Sequence, residues 1–156
     1  MQTKKDKLDV IIRWSSIVLM LVIIVLQFLP FWNIDGKSIS VASYVWWPEK
    51  NAELTTFMRT ELGNPQFDVR NILNQAFFQL VSAGFGIFWY LTKKDSPMIA
   101  VVPFICAILG ITAYLFNPPY RYGGNWILQL VINVVLLALA VIKLVKVFKN
   151  LTIITK

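Results

Sequence analysis

Histidine is absent from this chain, and cysteine occurs once. Without histidine the commonest metal ligand and the commonest general base are missing. A single cysteine builds neither an internal disulfide framework nor a cysteine-rich metal site. Charge is scarce as well: 15% of the 156 residues are Asp, Glu, Lys or Arg, where a soluble domain carries about 25%. Hydrophobic residues reach 57% and mean hydropathy is +0.63. Disorder requires the opposite balance, and a water-soluble globule of this composition is not expected. No His-based triad, phosphate loop or Gly-rich nucleotide fingerprint is present. The expectation is a membrane protein that is not an enzyme and needs no metal or cofactor.

What the chain has is apolar length. A helix needs about 20 apolar residues to cross the hydrocarbon of a bilayer, and four stretches qualify: about 10–29, 71–91, 98–116 and 126–148. The alternating ten-residue segments of a barrel are missing, so the expected fold class is an all-α membrane protein, a four-transmembrane-helix bundle forming one domain over 1–156. Pro30 ends the first stretch, Asp68 and Asn125 stand as caps before the second and fourth, and Asp95-Ser96-Pro97 starts a new helix at Met98. Pro103 predicts a kink in the third. Trp14, Trp32, Trp89, Tyr90 and Trp126 fall near the ends, where headgroups favour amphipathic rings. No small-residue cleavage site follows the first stretch, so it reads as a retained span and not a signal peptide.

Basic residues set the orientation. Lys4, Lys5, Lys7, Arg13, Lys93, Lys94, Lys143, Lys146, Lys149 and Lys156 fall on one side of a four-span layout. The positive-inside rule then places both termini in the cytoplasm and the protein in the plasma (cytoplasmic) membrane as a multi-pass chain. The net charge of +7 is matched by anionic membrane lipid, the first expected partner. The basic residues form no groove-sized patch, so nucleic acid is not expected. Isoleucine, lysine and asparagine outnumber arginine, which points to an AT-rich bacterial genome.

Residues 30–69 form the expected extracytoplasmic loop, with structure of its own. Asp35-Gly36 between two β-prone runs predicts a hairpin. Residues 43–47 read as a third strand or a short helix closed by Pro48, and a helix follows with Asn51 as cap, Leu54, Phe57, Met58 and Leu62 on one face, and Gly63 as stop. The two outer loops gather Tyr44, Trp46, Trp47, Tyr120, Arg121 and Tyr122 on one side of the membrane. They read as an aromatic belt over a small core, or as a recognition surface for a sugar, lipid headgroup or peptide. With Trp32 and Trp46-Trp47 in a long first outer loop, the layout resembles the claudin-like four-span class in topology. That family's Gly-Leu-Trp and paired loop cysteines are missing here, and no functional residue is carried over.

Polar residues recur inside the expected spans. Gln75 and Gln79 share one helical face, and Gln129 and Asn133 another, each pair four residues apart. Ser16 and Gln27 lie in the first stretch, Cys106 and Gly110 in the third. The amides read as glue between helices, as faces suited to lateral association, or as the lining of a polar path. Acidic residues stay in loops or at span edges, which argues against a proton relay. The expected role is an accessory or assembly subunit of a larger membrane complex, such as a transporter or channel, bound to other integral membrane subunits. The alternatives are a homo-oligomeric channel or small carrier, and an outer-face binder.

Overall fold

The computed structural model describes residues 4–34, 37–40, 48–60, 63, 69–92, 97–116 and 125–154. Five helices and one hairpin make up the described chain: α1 (Lys4–Phe28), β1 (Pro30–Ile34), β2 (Lys37–Ser40), α2 (Pro48–Thr60), α3 (Val69–Thr92), α4 (Met98–Phe116) and α5 (Trp126–Ile154). Local chemistry explains the boundaries. The Pro97 carbonyl accepts from the amides of Ala100 and Val101, and the Asn125 carbonyl from Gln129, opening α4 and α5. α1 begins six residues before the apolar run, and α5 continues six residues beyond it. Lysine is a good helix former with a long apolar stem, so helix outlasts hydrophobicity at both ends.

Strands β1 and β2 pair antiparallel, with Ile34 opposite Lys37 and an irregularity between Pro30 and Trp32. The chain enters α2 earlier than its sequence implies. Pro48 stands as the first helical residue, and Asn51, expected as the cap, lies inside the helix. A missing N–H is harmless in a first turn, and the fixed φ of proline suits it. Gly63 adopts φ 60°, a left-handed conformation that favours glycine. Asp68 and residues 43–47 lie outside the described residues.

Four helices pack in a ring: α1 against α3, α3 against α4, α4 against α5, and α5 back against α1. Neighbours run antiparallel. Ascending α1, Ser16 meets Tyr90, Met20 meets Gly86 and Gln27 meets Gln79, while α3 descends by matching steps. At one end of the ring the Asp9 carboxylate accepts from Lys143 Nζ at 3.2 Å and Lys146 Nζ at 3.1 Å, so the start of α1 lies beside the end of α5.

Side-chain size sorts inside from outside. The inward rows carry Ala76, Ala83 and Gly86 on α3, Ala100, Ala107 and Gly110 on α4, and Ala140 on α5. Small residues there let backbones approach closely. Many large apolar side chains turn outward: Ile11, Trp14, Val18, Leu21, Val25 and Phe28 run along the exposed face of α1, and Phe77, Phe78, Phe85 and Phe88 along α3. Two helices, over Lys7–Phe28 and Ile127–Lys149, are long and apolar enough to cross a membrane; Ala76–Thr92 and Met98–Ala113 are shorter apolar stretches. A membrane location is compatible with this distribution, since water tolerates few contiguous apolar patches of such extent. The outward hydroxyls suit it too: Thr92 donates to the Phe88 carbonyl at 2.7 Å and Thr112 to that of Ile108 at 2.8 Å, so neither needs water.

This inside–outside sorting has a direct consequence for stability. Leu136 is fully buried and Val135 beside it is exposed. Leu136→Ala should lower unfolding stability in detergent by about 2–5 kcal/mol, and Val135→Ala by well under about 1 kcal/mol. Denaturant titration of both variants checks the difference.

Candidate functional site

The polar residues of the ring converge on its axis. Gln27, Gln79, Gln129 and Asn133 are each no more than 3% exposed. Gln27 Nε2 donates to Gln79 Oε1 at 3.3 Å, and Gln79 Nε2 donates onward to Asn133 Oδ1 at 2.8 Å. Asn133 Nδ2 then donates to the Gln129 backbone carbonyl one turn earlier, at 2.8 Å. The result is a directed chain of amides, α1 to α3 to α5, each using a donor on the next acceptor. Such chains polarise one another and strengthen where the surroundings are dry.

The Gln79–Asn133 bond crosses the bundle diagonally, because α3 and α5 face each other across the ring while α1 and α4 flank them. Gly110 on α4 makes the crossing possible. A Cβ at that position would collide with the amide of Asn133 and with Gln79 Nε2. Below it, the Cys106 thiol lies 3.7 Å from the Gln79 backbone carbonyl. Gly86 plays a softer version of this part: a Cβ there would meet the thioether end of Met20, a flexible group that can give way.

The sequence-derived candidates therefore divide. Gln79, Gln129 and Asn133 come together, joined by Gln27. Gln75 lies one turn before Gln79 in α3, and its side chain is outside the described residues. Tyr44, Trp46, Trp47, Tyr120, Arg121 and Tyr122 are also outside them. The described amides point into the ring, where Gln27, Gln79 and Asn133 bond to one another, so they do not form the outward, laterally sticky faces that their spacing allowed. Tyr90 departs from expectation too. It does not sit at a headgroup boundary but is 1% exposed inside the bundle. Its ring lies on the inward row of α3 that carries Ala83 and Gly86, and helix phase overrides its nearness to the end.

The chemical capacity of the amide chain is neutral hydrogen bonding. It holds no titratable group, and among the described residues no three His, Cys, Asp or Glu side chains gather as a metal site would need. What it can do is fix the rotation of three helices about their axes. In Gln79→Leu, Gln27 Nε2 and Asn133 Oδ1 lose their partner, which should cost about 1–3 kcal/mol. Combined with Asn133→Leu, the loss should fall short of additivity by about 0.6–2 kcal/mol. Gly110→Ala should cost about 1–3 kcal/mol by forcing the crossing apart, while Gly86→Ala stays within about 1 kcal/mol of the parent. Unfolding in detergent micelles, scored by denaturant midpoint, measures all four. Comparison of the chain with protein-family models, with curated proteins and with solved structures finds no match.

Proposed function

We propose that the chain is a four-span protein of the cytoplasmic membrane that serves as a non-enzymatic accessory or assembly subunit, binding other integral membrane proteins. Its termini lie in the cytoplasm, and the hairpin and α2 form a small outer subdomain. The carrying observation is the inward turn of the amides beneath an apolar exterior. Gln27, Gln79 and Asn133 spend their hydrogen bonds on one another, so a polar path along the axis would have to break the bonds that hold the helices in phase. The outside offers apolar contact instead. Phe77, Phe78, Phe85 and Phe88 form an exposed aromatic stripe on α3, and aromatic side chains are favoured anchors in protein interfaces. The basic ends match anionic lipid on the cytoplasmic side.

Affinity purification from native membranes in a mild detergent should recover foreign integral membrane subunits in fixed stoichiometry. The triple variant Phe78→Ala/Phe85→Ala/Phe88→Ala should lose them while melting close to the parent protein, because these rings are exposed. Purification of a single pure species from the native membrane would sink the accessory role. The four-span layout has its own test: with Cys106 buried, Ala52→Cys should react with an impermeant thiol reagent on intact cells and Lys149→Cys only after permeabilisation. The reverse pattern overturns the orientation.

A further inference from the structure

At the end of the ring away from the amides lies a group of buried polar atoms with hydrogens to donate. Arg13 Nε, Ser16 Oγ and Tyr90 OH are buried and make no hydrogen bond. Ser16 and Tyr90 are 0% and 1% exposed. The Tyr90 hydroxyl stands against Ser16, with Arg13 and Asp9 in electrostatic range, and neither hydroxyl completes a hydrogen bond of ordinary geometry. Asp9, Arg13 and Ser16 follow one another on α1 at spacings of four and three, which puts them on one side of the helix. Asp9, the carboxylate at hand, is already engaged by Lys143 and Lys146. Lys143 and Lys146 thus share Asp9, and the unused groups Arg13 Nε, Ser16 Oγ and Tyr90 OH all carry hydrogens to donate.

Buried donors without acceptors are costly in a dry interior. The group that answers this arrangement is negatively charged and presents several acceptor oxygens to converging N–H and O–H donors, as a phosphate does. We propose that Arg13, Ser16 and Tyr90, with Lys143 and Lys146 at the rim, form a binding site for a phosphate group, supplied by the phosphodiester of an anionic lipid headgroup. A lipid source follows from position, and rests on the membrane reading given above. Arg13, Lys143 and Lys146 are partly exposed, and the outward face beside them, with Val10, Ile11 and Trp14, is apolar and suited to the acyl chains of a lipid so held.

The full-length protein, stripped of native lipid in detergent, is titrated with phosphatidylglycerol, with phosphatidylcholine and with inorganic phosphate; lipid bound per chain and melting temperature are read. Phosphatidylglycerol should bind at one per chain and raise the melt, and phosphatidylcholine should do neither. Tyr90→Phe should weaken phosphatidylglycerol about tenfold, yet the lipid-free variant should melt no lower than the parent, because it loses a hydroxyl that had no partner. A purely structural tyrosine would not move these two readings in opposite senses. Lys149→Gln, outside the cluster, should change neither. Inorganic phosphate that stabilises alone and displaces phosphatidylglycerol supports a phosphate site filled from solution and overturns the lipid source. Equal binding of the two lipids, or undiminished phosphatidylglycerol affinity in both Tyr90→Phe and Arg13→Gln, overturns the site. The membrane reading fails separately, if the chain is released from membranes without detergent.

Discussion

A dry interior gives an amide no substitute for a lost partner, and the arrangement of this bundle follows from that constraint. The hydrogen bond from Gln79 to Asn133 spans the diagonal of a four-helix ring. It forms only if α3 and α5 are both turned so that these residues meet on the axis, and only if α4 offers a glycine beneath them. Apolar packing alone would tolerate several rotations of such helices, since Leu, Ile and Val surround each of them. Amides are directional and apolar contacts are not. The polar chain therefore selects one rotation from many, while the small residues on the same inward rows supply the close packing that stabilises it.

Much of the helical framework could be read along the chain, because its signals are local. Apolar runs and the breaks at Pro30, Pro97 and Asn125 act on their own neighbours. The amide spacing of Gln129 and Asn133 showed that these positions share a face, but not where the face points. Inward and outward orientations look alike when most side chains are apolar on every side. Gln27 meets Gln79 across 52 positions of sequence, and nothing local to either residue announces the other. Tyr90 misleads for the same reason. Nearness to a helix end suggests an interfacial ring, whereas the phase it shares with Gly86 and Ala83 takes it inside. A finer clue was available in size on α3 and α4, where Ala and Gly gather on the rows that turn inward. Pro48 shows the limit of punctuation itself, since the residue that ends one segment can equally begin the next.

The ion pairs at the end of the ring contribute differently. Asp9 joins Lys143 and Lys146, tying the first helix to the last. All three are partly exposed, and solvent-accessible pairs add little to stability. Their effect is better seen as register. They require that α1 and α5 run antiparallel with their charged ends together, which is the same arrangement that brings Gln27 to Gln79 further along α1. Two sets of contacts, one ionic and one neutral, separated by about five turns of helix, demand the same alignment.

The two ends differ in what they leave over. Along the amide chain Gln27 Nε2, Gln79 Nε2 and Asn133 Nδ2 each donate, and the chain closes on a backbone carbonyl. At the cationic end, Arg13, Ser16 and Tyr90 hold donors that no described side chain receives, beside the lysines that engage Asp9. A sequence under pressure only to fold would resolve such a surplus cheaply, with phenylalanine at 90 or alanine at 16, since removing an unpartnered buried hydroxyl relieves its desolvation. Neutral helix-to-helix glue explains the bonded chain at the first end. At the second, the proposed phosphate would supply the acceptor that these donors lack among the described residues.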